Sequence, residues 1–252
     1  MNLGLDGKAF VVGGGSKGLG RAVTEALIVE GARVLVVARQ PEAATRELGP
    51  SAIPCAADLA TAEGVDAVVE AATGLGALDG VLVNSGGPPF GAVFDVSDGD
   101  WEGAYRLLVG NPIRLLRALR LHLREGASIL FVTSSSVRVP IPGLDTSNVL
   151  RPGVAALVKC LAIELGPSLR VNSLAPGRID TERVRYLDEK RAETTGTPVD
   201  EVRERNAASI PLGRYGEPAE LGRVAAFLLS PAASYVSGAA IQVDGGYTRA
   251  VP

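Results

Sequence analysis

The stretch Gly13-Gly14-Gly15-Ser16-Lys17-Gly18-Leu19-Gly20 constrains this chain more than any other. It follows an apolar run, Ala9-Phe10-Val11-Val12, and opens a helical pattern, Arg21-Ala22-Val23-Thr24-Glu25-Ala26-Leu27. Glycines permit a tight turn and a close approach of backbone to a ligand. A helix that begins directly after them turns free N–H groups and the positive end of its dipole toward an anion. An ordinary glycine-rich turn would show the same residues, but the strand before and the helix after favour a cradle for a nucleotide phosphate.

The rest of the chain alternates in the same way. Apolar runs at 9–13, 33–38, 52–56, 78–84, 128–133, 169–174 and 240–243 read as strands, and Pro54 puts the third nearer an edge. Between them lie helical patterns reaching Glu30, where Gly31 is a C′ residue, and at 41–48, 61–73, 100–109, 112–124, 154–165 and 218–229. Seven strands interleaved with helices, without repeats or a low-complexity linker, imply one α/β domain: a Rossmann-like, doubly wound, largely parallel sheet. With 252 residues, 46% hydrophobic and 21% charged, the chain can bury a sizeable core. A formal charge of −3 and the absence of a basic stretch argue against nucleic acid as a partner. No apolar run reaches the roughly 18 residues of a membrane span, and the first residues lack a signal-peptide pattern. Cys55 and Cys160 read as small buried hydrophobes in a reducing cytoplasm.

Several landmarks recur in a telling order. The opening turn is Gly-x-x-x-Gly-x-Gly at Gly14, Gly18 and Gly20; Asp58-Leu59 follows the third strand and Asn84-Ser85-Gly86-Gly87 the fourth. Thr133-Ser134-Ser135 follows the fifth, Pro176-Gly177-x-x-x-Thr181 the sixth, and Tyr235-Val236-Ser237-Gly238 and Val243-Asp244-Gly245-Gly246 close the series. In this order and over nearly the whole length, the chain resembles the short-chain dehydrogenase/reductase family, and within it the 3-oxoacyl-carrier-protein reductases. The resemblance implies NADP(H) as cofactor, a small-molecule or acyl-carrier-linked carbonyl substrate, and a homotetramer or homodimer. It also implies cofactor contacts from Gly14, Ser16, Lys17, Gly18, Leu19 and Gly20, with Asp58 and Leu59 at the adenine. Asn84, Ser85 and Gly86 line the cleft, and Pro176, Gly177, Ile179 and Thr181 meet the nicotinamide and phosphates. A lid for the substrate is expected at 178–209, its charges forming a solvated helical face.

Two positions bear on the choice of cofactor. Relatives that prefer NAD carry an acid at the end of the second strand that bonds the ribose 2′-hydroxyl. Ala38 stands there in this chain, followed by Arg39, and Lys17 lies in the glycine turn, so two cations can converge on a 2′-phosphate. His122 is the one histidine and reads as a surface residue on a helix, which leaves no basis for a histidine triad or a zinc site.

The chain departs from its family at the chemistry. The family uses a serine to orient the carbonyl, a tyrosine to donate the proton, a lysine four residues on, and an asparagine that sustains a relay water. Ser134 fits the serine, and Asn111 fits the asparagine, with a kink expected from Pro112. Ser147 occupies the tyrosine position and Arg151 the lysine position, and no tyrosine occurs between Tyr105 and Tyr186. A serine hydroxyl is a far weaker acid than a phenol, whose pKa is about 10, and a guanidinium does not exchange protons. Pro152 also puts the start of the Arg151 helix in question. Three readings follow. The first is a carbonyl reductase whose proton comes through water, Ser134 or a lid residue such as Tyr186. The second is a catalytically silent NADP-binding sensor or structural subunit. In the third, Arg151 clamps an anionic substrate for a different chemistry.

Overall fold

The computed structural model describes residues 2–250. Seven strands form one sheet in the order β3-β2-β1-β4-β5-β6-β7: β1 Ala9–Gly13, β2 Arg33–Ala38, β3 Ala52–Ala56, β4 Leu78–Val83, β5 Leu123–Val132, β6 Arg170–Pro176 and β7 Ala240–Val243. All six pairings are parallel, which requires helical crossovers on both faces. The helices are α1 Gly18–Val29, α2 Glu42–Leu48, α3 Ala62–Thr73, α4 Asp98–Tyr105, α5 Asn111–Leu119, α6 Asp145–Leu165, α7 Glu182–Thr195, α8 Val199–Ala208 and α9 Pro218–Leu229. The expected doubly wound α/β domain is the observed one.

Two apolar layers sandwich the sheet. Side chains of the central strands alternate between them, with Val11, Val81, Ile129 and Phe131 facing α3, α5 and α6, and Phe10, Val12, Leu82 and Leu130 facing α1 and α9. The α1–α9 contact is backbone against backbone: a Cβ on Gly222 would sit 2.4 Å from the Ala22 carbonyl oxygen. Pro54 lies on β3, the edge strand, where its missing N–H costs the sheet least. No helix among the described residues is long and apolar enough to cross a membrane.

Three local expectations are corrected, and a fourth, the kink at Pro112, is observed in a specific form. The helix expected at 112–124 stops at Leu119, and His122 lies in the turn beyond it, where its carbonyl accepts from Leu78 N to start the β4–β5 pairing. The helix expected at 154–165 begins at Asp145 and runs through Pro152. Its first turns are anchored by side chains: Asn148 bonds both the N–H and the carbonyl of Ile141, and Asp145 accepts from Val93 N. These bonds hold a helical start that proline would otherwise discourage. The kink at Pro112 takes the form of a π-helical turn, Arg106–Gly110, joining α4 to α5, in which Asn111 N bonds back to Arg106 O. Cys55 is buried as expected, and burial pushes its thiol pKa up, whereas Cys160 is exposed on α6.

Gly222→Ala is expected to lower stability by about 2 kcal/mol, because α1 and α9 must separate to admit one methyl group. Chemical denaturation of the variant and the parent protein measures the difference.

Candidate active site

The carboxyl ends of the strands, together with α6 and the α7 segment, enclose a cleft of ≈ 1320 Å³, large enough for a dinucleotide and a second molecule. One end is built from the glycine turn. Gly14 and Gly18 have φ of +61° and +53°, which side chains rarely adopt. A Cβ on Gly20 would lie 2.1 Å from the Gly14 carbonyl oxygen, so this glycine serves the closure of the turn and does not itself line the cleft. Asn84, just past β4, donates its Nδ2 to Gly13 O at 3.0 Å and clamps the turn to the neighbouring strand. No side chain caps α1, and its first turn has no acid, so its N–H groups remain available to an anion.

Ser16, Lys17, Leu19, Arg39, Asp58, Leu59, Ser85, Gly86, Pro176, Gly177, Ile179 and Thr181 all line the same cleft. Lys17 Nζ stands 3.5 Å from Glu182 Oε2, with both side chains about three-quarters exposed (75% and 77%). Such a pair is worth little and yields readily to a stronger anion. Asp58 uses Oδ1 to accept from Ala60 N, while Thr61 caps α3 by accepting from Gly64 N. The Asp58 carboxylate thus keeps an oxygen free at the cleft.

Asn111 stands apart from the other expected catalytic residues. It does not line the cleft, and its Nδ2 donates to Leu59 O at 2.9 Å. Behind it, the π turn leaves the Leu107 carbonyl without its helical donor. Asn111 N is taken by Arg106 O, and Pro112 has no N–H. Ser85 Oγ fills the gap, donating to Leu107 O at 2.8 Å.

At the other end, the serines divide their roles. Ser134 lines the cleft, and its Oγ accepts from Ser136 N at 3.0 Å to cap the short helical turn Ser135–Val137. Ser147 does not meet Ser134. Its Oγ lies 3.0 Å from Ser136 Oγ and accepts from Arg151 Nε at 3.1 Å. Because α6 is continuous, Ser147 and Arg151 sit one turn apart on its buried face. Arg151 also donates through Nη1 to Val132 O and through Nη2 to Gly86 O, at 2.9 and 3.2 Å. Burial, with the charge of Arg183 second, pulls its pKa down to about 10. The guanidinium is charged at neutral pH and has no carboxylate partner among the described residues.

The charges of the 178–209 segment were expected on a solvated face, and two of them are not. Asp188 is fully buried and accepts from Arg178, Arg203, Asn206 and the Tyr215 hydroxyl, at 2.9 to 3.1 Å. Arg183 folds inward onto the loop after β4, donating to Pro88 O at 2.6 Å. Tyr186 lies beneath Arg183 and Lys190 and does not line the cleft, whereas Tyr247 does. Ser136, Arg183, Asp188 and Tyr247 escaped the sequence reading. Only the three-serine run hinted at the first, and nothing local distinguishes an inward from an outward charge on α7. No three His, Cys, Asp or Glu side chains cluster as a metal site among the described residues.

A doubly wound sheet with this turn and this clamp defines a dinucleotide-type oxidoreductase cleft. Residues 14–248 match the family model described as Enoyl-(Acyl carrier protein) reductase. Versicolorin reductase stcU of Emericella nidulans is 34% identical over 259 residues, covering 98% of both chains. The crystal structure of L-sorbose reductase from Gluconobacter frateurii, complexed with NADPH and L-sorbose, superposes with a TM-score of 0.93 at 32% identity over 100% of both chains. That of 3-ketoacyl-(acyl-carrier-protein) reductase from Brucella melitensis, complexed with NADH, gives 0.86 at 30%, covering 97% and 99%. The protein belongs to the short-chain dehydrogenase/reductase family.

Asp188→Ala is expected to leave two guanidiniums without their buried acid and to loosen 182–208 by about 3 kcal/mol. Amide exchange across that segment then speeds up about a hundredfold while the sheet stays protected, as hydrogen-exchange mass spectrometry reads directly.

Proposed function

We propose that this protein is an NADP(H)-dependent short-chain oxidoreductase that reduces a carbonyl, such as that of a 3-oxoacyl thioester, without a tyrosine proton donor. The observation that carries the cofactor preference is the pairing of Lys17 and Arg39 at a cleft whose second strand ends in Ala38 rather than an acid. Relatives with solved structures have been seen with NADPH and with NADH, so the preference rests on this chain's own residues. The cleft fits a dinucleotide because Gly14 and Gly18 keep side chains out of the place where a diphosphate would meet α1, while Gly20 lets the turn close. When bound, NADPH supplies the hydride. Ser134 offers a hydroxyl to the substrate oxygen, and Arg151 contributes fixed positive charge where oxyanion character develops. Ser147 has its hydroxyl committed to Ser136 and Arg151, so the proton reaches the product oxygen from water admitted to the open cleft.

The same commitment of Ser147 supports a second reading, in which the protein binds NADP(H) and turns nothing over. NADPH oxidation by the pure protein with any member of a broad carbonyl panel rules that reading out, and its complete absence sinks the reductase. By resemblance the protein is a homotetramer or homodimer, and the exposed Val149 and Ile163 of α6 suit an apolar contact between copies.

Arg39→Ala is expected to weaken NADPH about tenfold or more and leave NADH nearly unchanged, because a forked donor to the 2′-phosphate is lost. Fluorescence titration with both cofactors checks this. Replacing the pair at the reacting end, Ser147→Tyr with Arg151→Lys, is expected to raise turnover by about a hundredfold, the usual contribution of a positioned acid.

A further inference from the structure

Two guanidiniums converge on the loop that follows β4, and the one acid of that loop, Asp95, forms an ion pair with neither. Arg151 reaches the loop from α6 and donates to Gly86 O; Arg183 reaches it from the lid and donates to Pro88 O, two residues further along. Arg183 packs so closely that a Cβ on Gly87 would meet its Nε at 2.7 Å. Arg151 is 8% exposed, and its three observed partners are a hydroxyl and two carbonyls. Of its five N–H groups, two therefore remain without a protein acceptor. The two like charges feel each other: Arg183 adds to the effect of burial in lowering the Arg151 pKa. Neither forms an ion pair with Asp or Glu among the described residues, although arginines farther along the lid do.

A protein does not hold two partly desolvated cations together without compensation, since burying a charge is costly unless it is paired. Backbone carbonyls orient the two groups but leave their charge unneutralised. The phosphates of the cofactor are served elsewhere, by the N-terminus of α1 with Lys17 and Thr181 and by Arg39. Phe90, Ile141, Leu144 and Leu187 give the same cleft an apolar component, beside polar residues such as Ser134 and Thr194. We infer that Arg151 and Arg183 form an anion subsite for the substrate, and that the substrate is a carboxylate with a short apolar body. A carboxylate is planar and offers two oxygens to forked donors, and an aliphatic or cyclic body suits those apolar side chains. This rests on the reading of the cleft as an oxidoreductase site, which it narrows to a class of acidic substrate.

The test is calorimetric titration of hexanoate and its neutral counterpart hexanamide into the full-length protein, with and without saturating NADP+. Hexanoate is expected to bind at least about tenfold more tightly than hexanamide. Arg183→Gln is expected to abolish that preference while keeping NADPH affinity within about twofold. Arg183→Lys keeps the charge and loses the fork, and is expected to retain part of the preference. The inference is overturned by equal affinities, by no binding of either probe at millimolar concentration, or by a preference that survives Arg183→Gln. A parallel loss of NADPH affinity in Arg183→Gln also overturns it, since Arg183 would then serve a cofactor phosphate. Failure of the reductase reading shows separately, as absent NADPH oxidation beside an intact carboxylate preference.

Discussion

The structure depends on one close approach, between the turn after β1 and the end of β4. Asn84 reaches across to Gly13 O, and Cβ atoms on Gly13 or Gly14 would collide with Asn84 at about 3 Å (3.0 and 2.9 Å). Gly20 would collide with the same turn at 2.1 Å. Three glycines and one amide therefore fix how α1 leaves the sheet at the point where strand order reverses. Everything the cleft can hold follows from that contact. It aims the uncapped end of α1 and sets the distance between the loop after β4 and the ends of β2 and β6. A side chain at any of these positions would press on Asn84 or on the turn's own backbone, and the turn could not close as it does.

The second constraint is on the opposite wall. The 178–209 segment is rich in charge, yet Asp188 on α7 gathers four donors from α8 and from the segments before α7 and after α8. Arg203 and Arg178 also stack on Tyr215, at 4.7 and 5.9 Å from the ring centroid. A fully buried carboxylate surrounded in this way is stabilising only while all its donors are present. The arrangement gives the α7–α8 segment its own polar core, and from α7 Arg183 reaches the loop after β4.

The fold was legible because it is carried by periodicity and glycine chemistry, both local. Buried parallel strands read as continuous apolar runs, and the edge position of β3 followed from Pro54 alone. The start of α6 was not legible, because Pro152 reads as a boundary while Asp145 and Asn148, which hold the first turns, act through partners some distance away in sequence. For the same reason Asn111 and Ser147 could be placed by spacing but not by contact. Their side chains turned to Leu59 O and to Ser136, neighbours that spacing does not name. Cys160 read as buried from its type, but a type-based preference carries no information about which helix face it occupies.

The arginine at position 151 is more than a larger lysine. Burial and the neighbouring charge of Arg183 pull the Arg151 pKa down to about 10, and the same two causes would push any cation at this position in the same direction. A lysine starts lower than a guanidinium and can lose its proton, so it is the less secure of the two as a permanent charge. The guanidinium stays charged under the same conditions and spreads its donors over Ser147, Val132 and Gly86. Replacing the lysine by arginine therefore exchanges a group that can pass protons for one that holds charge permanently. The loss of an acidic hydroxyl at Ser147 is consistent with that exchange.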